Sequence, residues 1–217
     1  MSTRLVRRLA SLYVGLALFG VSIAVMVSAG LGLDPWDVFH QGLANRIGLP
    51  LGWVVNGVGA LVLLAWIPLR QRPGLGTVSN VVLVGLVADA TLAVLPSPHD
   101  WPAHSWLPRA ALLATGIVAN AIATGLYIGA GFGPGPRDGL MTGLARRGHS
   151  IRVVRTAIEL TVLGVGWLLG GTVGIGTVVY AVTIGPLAHY LMPLLAVDRP
   201  AGPKSSEVPP TKECCHV

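Results

Sequence analysis

The chain has 217 residues, 53% of them hydrophobic and only 11% charged, with a mean hydropathy of +0.69 and a formal net charge of +6. Soluble domains carry about 25% charged residues, so an ordinary soluble fold is excluded. The basic excess is distributed as in a membrane protein, and no nucleic-acid partner is needed to explain it.

Six apolar stretches follow one another, at about 9–30, 50–69, 78–96, 110–130, 156–172 and 178–196. Crossing a bilayer takes about 20 apolar residues as a helix. Lipid cannot satisfy backbone N–H and C=O groups, and continuous apolar runs lack the alternation of a barrel strand. The chain is therefore predicted to be an all-α membrane protein with six transmembrane helices.

The first stretch follows Arg4, Arg7 and Arg8 and ends near Val27-Ser-Ala29, which imitates a secretory signal. Its apolar core of roughly 20 residues is too long for one, and it aligns with the internal stretch 110–130, so it is expected to be retained. Next comes Gly30-Leu-Gly-Leu-Asp-Pro-Trp-Asp37. Pro35 suits the first helical position, Asp34 can cap the helix, and Asp37 falls in its first turn. The helix predicted over 36–46 is too short to cross and is expected to be interfacial or re-entrant. The second stretch ends at Arg70 and Arg72, and Gly74-Leu-Gly-Thr-Val78 turns into the third, which carries Asp89.

The loop that follows holds His99, Asp100 and His104, but Pro98, Pro102 and Pro108 break any face that would align them, and no metal is predicted. The fourth stretch has Asn120 at its centre. Gly131-Phe-Gly-Pro-Gly-Pro-Arg-Asp138 then repeats the first motif 101 residues on, and eight of the 17 positions from 30 to 46 are identical to 131–147. Gly30, Gly32, Pro35 and Asp37 thus match Gly131, Gly133, Pro136 and Asp138 as hinge and cap motifs. Arg155 and Glu159, four residues apart at the start of the fifth stretch, are expected to form a cytoplasmic ion pair. Gly174-Ile-Gly-Thr-Val178 repeats the second motif and leads to His189 in the sixth stretch. Residues 198–217, rich in Pro, Ser, Glu and Lys, read as a disordered tail, with Cys214 and Cys215 in a reducing compartment.

Two repeated blocks at nearly one offset indicate a duplication, with repeat 1 at about 9–97 and repeat 2 at about 110–197 of a single membrane domain, 1–197. Three crossings per copy turn the second upside down. Thirteen of the 15 Lys and Arg then fall on one side, all but Arg46 and Arg109. The positive-inside rule makes that side, and both termini, cytoplasmic. Two inverted three-helix repeats are an architecture shared by many secondary transporters. Each face is expected to carry one Gly-Pro-Asp motif and one Gly-x-Gly-Thr turn from the other repeat.

The string from Gly30 to Gly42, the turn Gly74-Leu-Gly-Thr-Val-Ser-Asn80 leading to Gly85, and Gly131 to Leu140 resemble the YczE/YyaS/YitT-type family of bacterial integral membrane proteins. So do Arg155 to Glu159, Gly166-Trp-Leu-Leu-Gly-Gly171 and Gly174-Ile-Gly-Thr177. The resemblance spans about 9–196. It implies a multi-pass plasma-membrane protein, in some members associated with production or export of secondary metabolites, and carries over no catalytic residues.

Ionisable groups inside spans are costly and mark sites. Gly85-x-x-x-Asp89 aligns with Gly185-x-x-x-His189, and inverted spans bring the two side chains to within about 6 Å in height. Asp89, His189 and Asn120 are the candidate midplane site, read either as a solute or proton site or as a polar lock between helices. No Ser-His-Asp arrangement or acidic phosphotransfer cluster is present, and an enzyme or a cofactor is not expected. The function expected is a transporter or permease for a small or amphiphilic solute. The alternative is a non-transporting scaffold or regulatory subunit, with small-residue faces at 52–59 and 164–171. Its partners are the lipid bilayer, a solute, and a second copy or another membrane protein.

Overall fold

The computed structural model describes residues 3–195 apart from 99, 103, 104 and 149. The tail 198–217 with Cys214 and Cys215, and the positions of His99 and His104, lie outside the described residues. Eight helices and no strand are found among the described residues: α1 (Thr3–Ala29), α2 (Pro35–Ile47), α3 (Leu51–Trp66), α4 (Leu75–Leu92), α5 (Trp106–Gly129), α6 (Pro136–Ala145), α7 (Ile151–Leu168) and α8 (Ile175–Leu195).

The protein is an all-helical membrane protein. Helices α1, α4, α5 and α8 are each long and apolar enough to cross a bilayer, and a fifth crossing results if α2 and α3, bent by 114°, count as one broken span. The stretches expected to give the second and fifth spans are the ones that fall short by themselves. Helix α3 has 16 residues, about 24 Å of rise. Helix α7 has 18 residues and carries Arg152, Arg155 and Glu159.

The two short helices start as their sequences require. Pro35 and Pro136 open α2 and α6, and the Asp34 carboxylate accepts the Asp37 N–H at 2.6 Å. Gly48, at φ 70°, ends α2 with its N–H on the Ala44 carbonyl, a position only glycine takes without strain. Trp36, Asp37, Val38 and His40 are buried, whereas 45–50 are exposed. Helix α2 therefore points its N-terminal end into the protein. A helix lying flat at the interface would bury one face along its whole length.

The centre of the molecule is the antiparallel pair α1 and α5. Arg8, near the start of α1, donates from Nε to the Ala130 carbonyl just past α5, at 2.8 Å. Arg109, near the start of α5, donates to the carbonyls of Ala29 and Gly30 beyond α1, at 2.7 and 2.8 Å. Each guanidinium thus satisfies orphan carbonyls at the negative end of the other helix. Arg109, one of two basic residues outside the charge pattern, has a structural task, and it stands 101 residues after Arg8.

The repeated motifs dock crosswise. The Gly76 N–H donates to the Phe132 carbonyl at 3.0 Å, and the Gly176 N–H donates to the Leu31 carbonyl at 2.8 Å. Thr77 and Thr177 accept from the N–H of Gly74 and Gly174 at 3.2 and 3.3 Å. Gly32 and Gly133 sit at φ 117° and 113°, and a Cβ on Gly32 would press on Gly174 and Thr177. Each Gly-x-Gly-Thr turn therefore seats on the Gly-rich break of the other half of the chain.

Packing around the central pair departs from this regularity at one place. Helix α4 lies on α1 and α8 on α5, while α2 and α6 each contact both α3 and α7. Helix α3, however, is closely packed along α4, and α7 makes no comparable contact with α8. At the α3–α4 seam Gly52 and Gly85 meet backbone to backbone, so a Cβ on either would strike the other's carbonyl oxygen. Asn56 spans the seam, accepting from the Gly85 N–H at 3.1 Å and donating to the Val82 carbonyl at 3.1 Å. Gly185, the counterpart of Gly85, has open space where a Cβ would stand.

Candidate functional site

A cavity of about 470 Å³ lies where the N-terminal ends of α2 and α6 converge. Asp34, Trp36 and His40 come from the first, and Gly135, Arg137 and Asp138 from the second. The remaining wall is Asn120 and Tyr127 of α5, Arg155 and Glu159 of α7, Tyr180 and His189 of α8, and apolar residues of α3 and α4 such as Val58 and Val84. The volume falls within the roughly 300–1,000 Å³ of small-molecule sites.

Arg137 is the hub. Its guanidinium lies 3.6 Å from Asp34 Oδ2 and 3.3 Å from Asp37 Oδ1, and 5.3 Å from the centre of the Trp36 ring. His40 Nδ1 is 3.1 Å from the same Asp37 oxygen. Asp34, Asp37 and His40 are all buried. Two carboxylates sharing one guanidinium away from water leave negative charge to be balanced, which is costly unless another proton or cation takes part. Two polar atoms here have no hydrogen-bond partner among the described residues: Asp37 Oδ2 and the indole Nε1 of Trp36. Asp138 accepts the Tyr127 hydroxyl at 2.8 Å. Trp66 fastens α6 to the end of α3 by donating from Nε1 to the Pro136 carbonyl at 3.1 Å.

The residues singled out from sequence are distributed as follows. Asn120 is buried at the cavity wall, donating to Ser22 at 3.1 Å and accepting from the Tyr180 hydroxyl at 3.2 Å, so it ties α1, α5 and α8 together. His189 also lines the cavity. Asp89 does not: its Oδ1 accepts the Gly52 N–H at 2.6 Å, capping α3, whose own N-cap residue, Pro50, offers no side-chain hydrogen bond. Its carboxylate serves the α3–α4 seam and is not brought to His189.

Arg155 and Glu159 form the expected pair, Nε to Oε1 2.9 Å, and both line the cavity. Gly30, Gly32, Gly131 and Gly133 all take positive φ and make the breaks that aim α2 and α6. The two Gly-Pro-Asp motifs, expected on opposite faces, begin at opposite ends of the α1–α5 pair, beside Arg109 and Arg8, and the first turns of the helices they open meet through Arg137 and Asp37. The small-residue faces are used mostly inside: Gly52 and Gly59 against α4, Gly166 and Gly171 against Val38 and Phe39.

Sequence reading missed Asp34 and Arg137 as partners, and it missed Trp36. The available signal was a difference within a repeat. Asp34 stands where the second copy has Gly135, and Trp36 where it has Arg137. The shared positions build the turns, and the charge that crosses between copies joins the unshared Asp34 and Arg137 with the shared Asp37.

A family of unknown function, DUF6198, matches residues 6–193. The chain is 37% identical over 182 residues to an uncharacterised protein of Haemophilus influenzae, covering 83% of this chain and 81% of that one. It is 32% identical over 197 residues to the uncharacterised membrane protein YczE of Bacillus subtilis, covering 89% of each. It is 27% identical over 186 residues to the uncharacterised protein YyaS of the same organism, covering 84% and 90%. No solved structure matches it. The relatives bear out the resemblance carried by the glycine and proline motifs, and the chain belongs to the DUF6198 family.

Proposed function

We propose that the protein is a transporter- or permease-like protein of the bacterial plasma membrane, carrying a small or amphiphilic solute through the cavity between two inverted halves. Both termini are then cytoplasmic, a reading that the placement of Lys and Arg supports. Helices α3 and α7 complete six crossings together with α2 and α6, which re-enter the bilayer as half-helices.

The observation that supports this reading is the unequal state of two counterpart seams. Helix α3 is zipped to α4 through Gly52, Gly85, Asn56 and Asp89. The counterparts α7 and α8 stand apart and both contribute to the cavity wall. Alternating access needs one seam closed while its counterpart is open, and the reverse state closes α7 on α8. A static scaffold has no need of a cavity lined by charged residues between its helices. The association of some family members with production or export of secondary metabolites, which the resemblance implies, fits an amphiphilic cargo.

The test is solute flux in proteoliposomes, screened with and without a pH gradient, beside the variant Gly185→Leu. Flux that this variant abolishes while the protein stays folded is expected. No flux under any gradient, together with stable co-purification of a partner membrane protein, favours the scaffold reading and overturns this one.

A further inference from the structure

We infer that the cavity selects an organic ammonium ion that also carries a hydrogen-bond acceptor oxygen. This rests on the cavity being the solute site.

The first ground is charge. Glu159 is neutralised by Arg155 at 2.9 Å, and Arg137 is shared by Asp34 and Asp37. Asp138 has the Tyr127 hydroxyl but no direct ion pair among the described residues. Carboxylates thus outnumber guanidiniums at the cavity, and an added anion would face Asp34, Asp138 and Glu159. The two helix N-termini offer it little. The Asp37 N–H of α2 is already taken by Asp34, and Asp138 occupies the first turn of α6.

The second ground is the arrangement of the resident cation. Arg137 lies over Trp36 with carboxylates at its edge, which is how an aromatic and acidic site holds an ammonium group. A ligand ammonium reaches the same wall through Asp34 and Asp138, both of which line the cavity. The third ground is independent of charge. Trp36 is only 7% exposed, lines the cavity, and has its Nε1 donor without a partner among the described residues. A buried indole N–H ordinarily finds an acceptor. An oxygen on the ligand, beside its ammonium group, supplies one.

The experiment is calorimetric titration of the purified full-length protein in detergent with three probes of one shape: phenylalaninol, 3-phenylpropanol and 3-phenylpropionate. Phenylalaninol is expected to bind at least about tenfold tighter than either of the others, as a charge-assisted hydrogen bond allows. Asp138→Asn should weaken it by about tenfold. Trp36→Phe should weaken phenylalaninol but leave unchanged the binding of a fourth probe, phenethylamine, which lacks the oxygen. Asp138→Asn and Trp36→Phe each leave the Arg137 ion pairs in place, so a failure of one to fold still leaves the other. Equal or tighter binding of the alcohol or the carboxylate overturns the ammonium inference and leaves the solute site standing. Unchanged phenylalaninol affinity in both variants also overturns it. If none of the three binds, the inference fails, and the proteoliposome flux assay decides separately whether the cavity carries anything.

Discussion

Gly85 and Gly185 hold equivalent places in the repeated sequence and meet opposite surroundings. A methyl group on Gly85 would collide with the Gly52 carbonyl and the Asn56 side chain, whereas Gly185 faces open space beside the cavity. Small residues permit close helix approach, so one glycine is in use in this conformation and the other is free.

Gly85→Ala should therefore destabilise the protein by about 1–3 kcal/mol, the usual penalty of overpacking. Gly185→Ala should change stability by no more than about 0.5 kcal/mol, as at an uncrowded position. Thermal unfolding in detergent compares them. Equal effects of the two variants would remove the distinction between a closed and an open seam.

Arg137 offers a second test. Replacing it with Ala strands two buried carboxylates, and breaking such a buried arrangement typically costs about 3–5 kcal/mol. Arg137→Lys keeps the charge but loses the fork that spans Asp34 and Asp37, so it should recover only part of that loss. Asp34→Asn combined with Arg137→Ala should cost less than the two single changes added together, because they share one interaction. Denaturation of the wild type and the four variants under one set of conditions measures this, and strict additivity would contradict the ion-pair geometry.

Arg109→Ala should lower stability by about 1.5–3 kcal/mol, the worth of hydrogen bonds from a charged donor to otherwise unpaired carbonyls. The loss is local to the end of α1, so hydrogen exchange should rise first at the amides around Gly30. A change confined to the α4 region would mean that the guanidinium is not holding this helix end.

Asp89 and His189 were paired from sequence by their common offset, and their surroundings now separate them. Asp89→Asn should cost about 0.5–2 kcal/mol through the weakened cap on α3. His189→Gln should leave stability nearly unchanged and act on solute binding, since His189 is exposed toward the cavity. With no shared partner, the double variant should be additive within about 0.3–0.5 kcal/mol. A coupling well beyond that would bring back direct contact between the two.

The helices, the glycine hinges, the proline starts and the Asp34 cap were legible because each depends on residues close in sequence. Apolar length, a missing N–H at Pro35 and the left-handed backbone at Gly32 are decided within a few positions. The sequence suggested that each face carries one motif of each kind, but the hydrogen bonds by which each Gly-x-Gly-Thr turn docks on the other copy's Gly-rich break came only with the packing. What the Gly-Pro-Asp motif does was less legible. Identity between copies drew notice to Asp37 and Asp138, while the charge network joins Asp37 to Asp34 and Arg137, where the copies differ.

By itself the sequence determined an apolar helical protein with duplicated breaks, because hydropathy and backbone preference act locally and repeat with the residues that cause them. Tertiary structure alone decided that Arg137 reaches Asp37 across 100 residues, that Asp89 caps α3, and that one seam is shut while its counterpart stands open. Those outcomes depend on which helix faces meet, and a charged side chain pairs with whatever the packing of distant segments brings within a few ångströms of it.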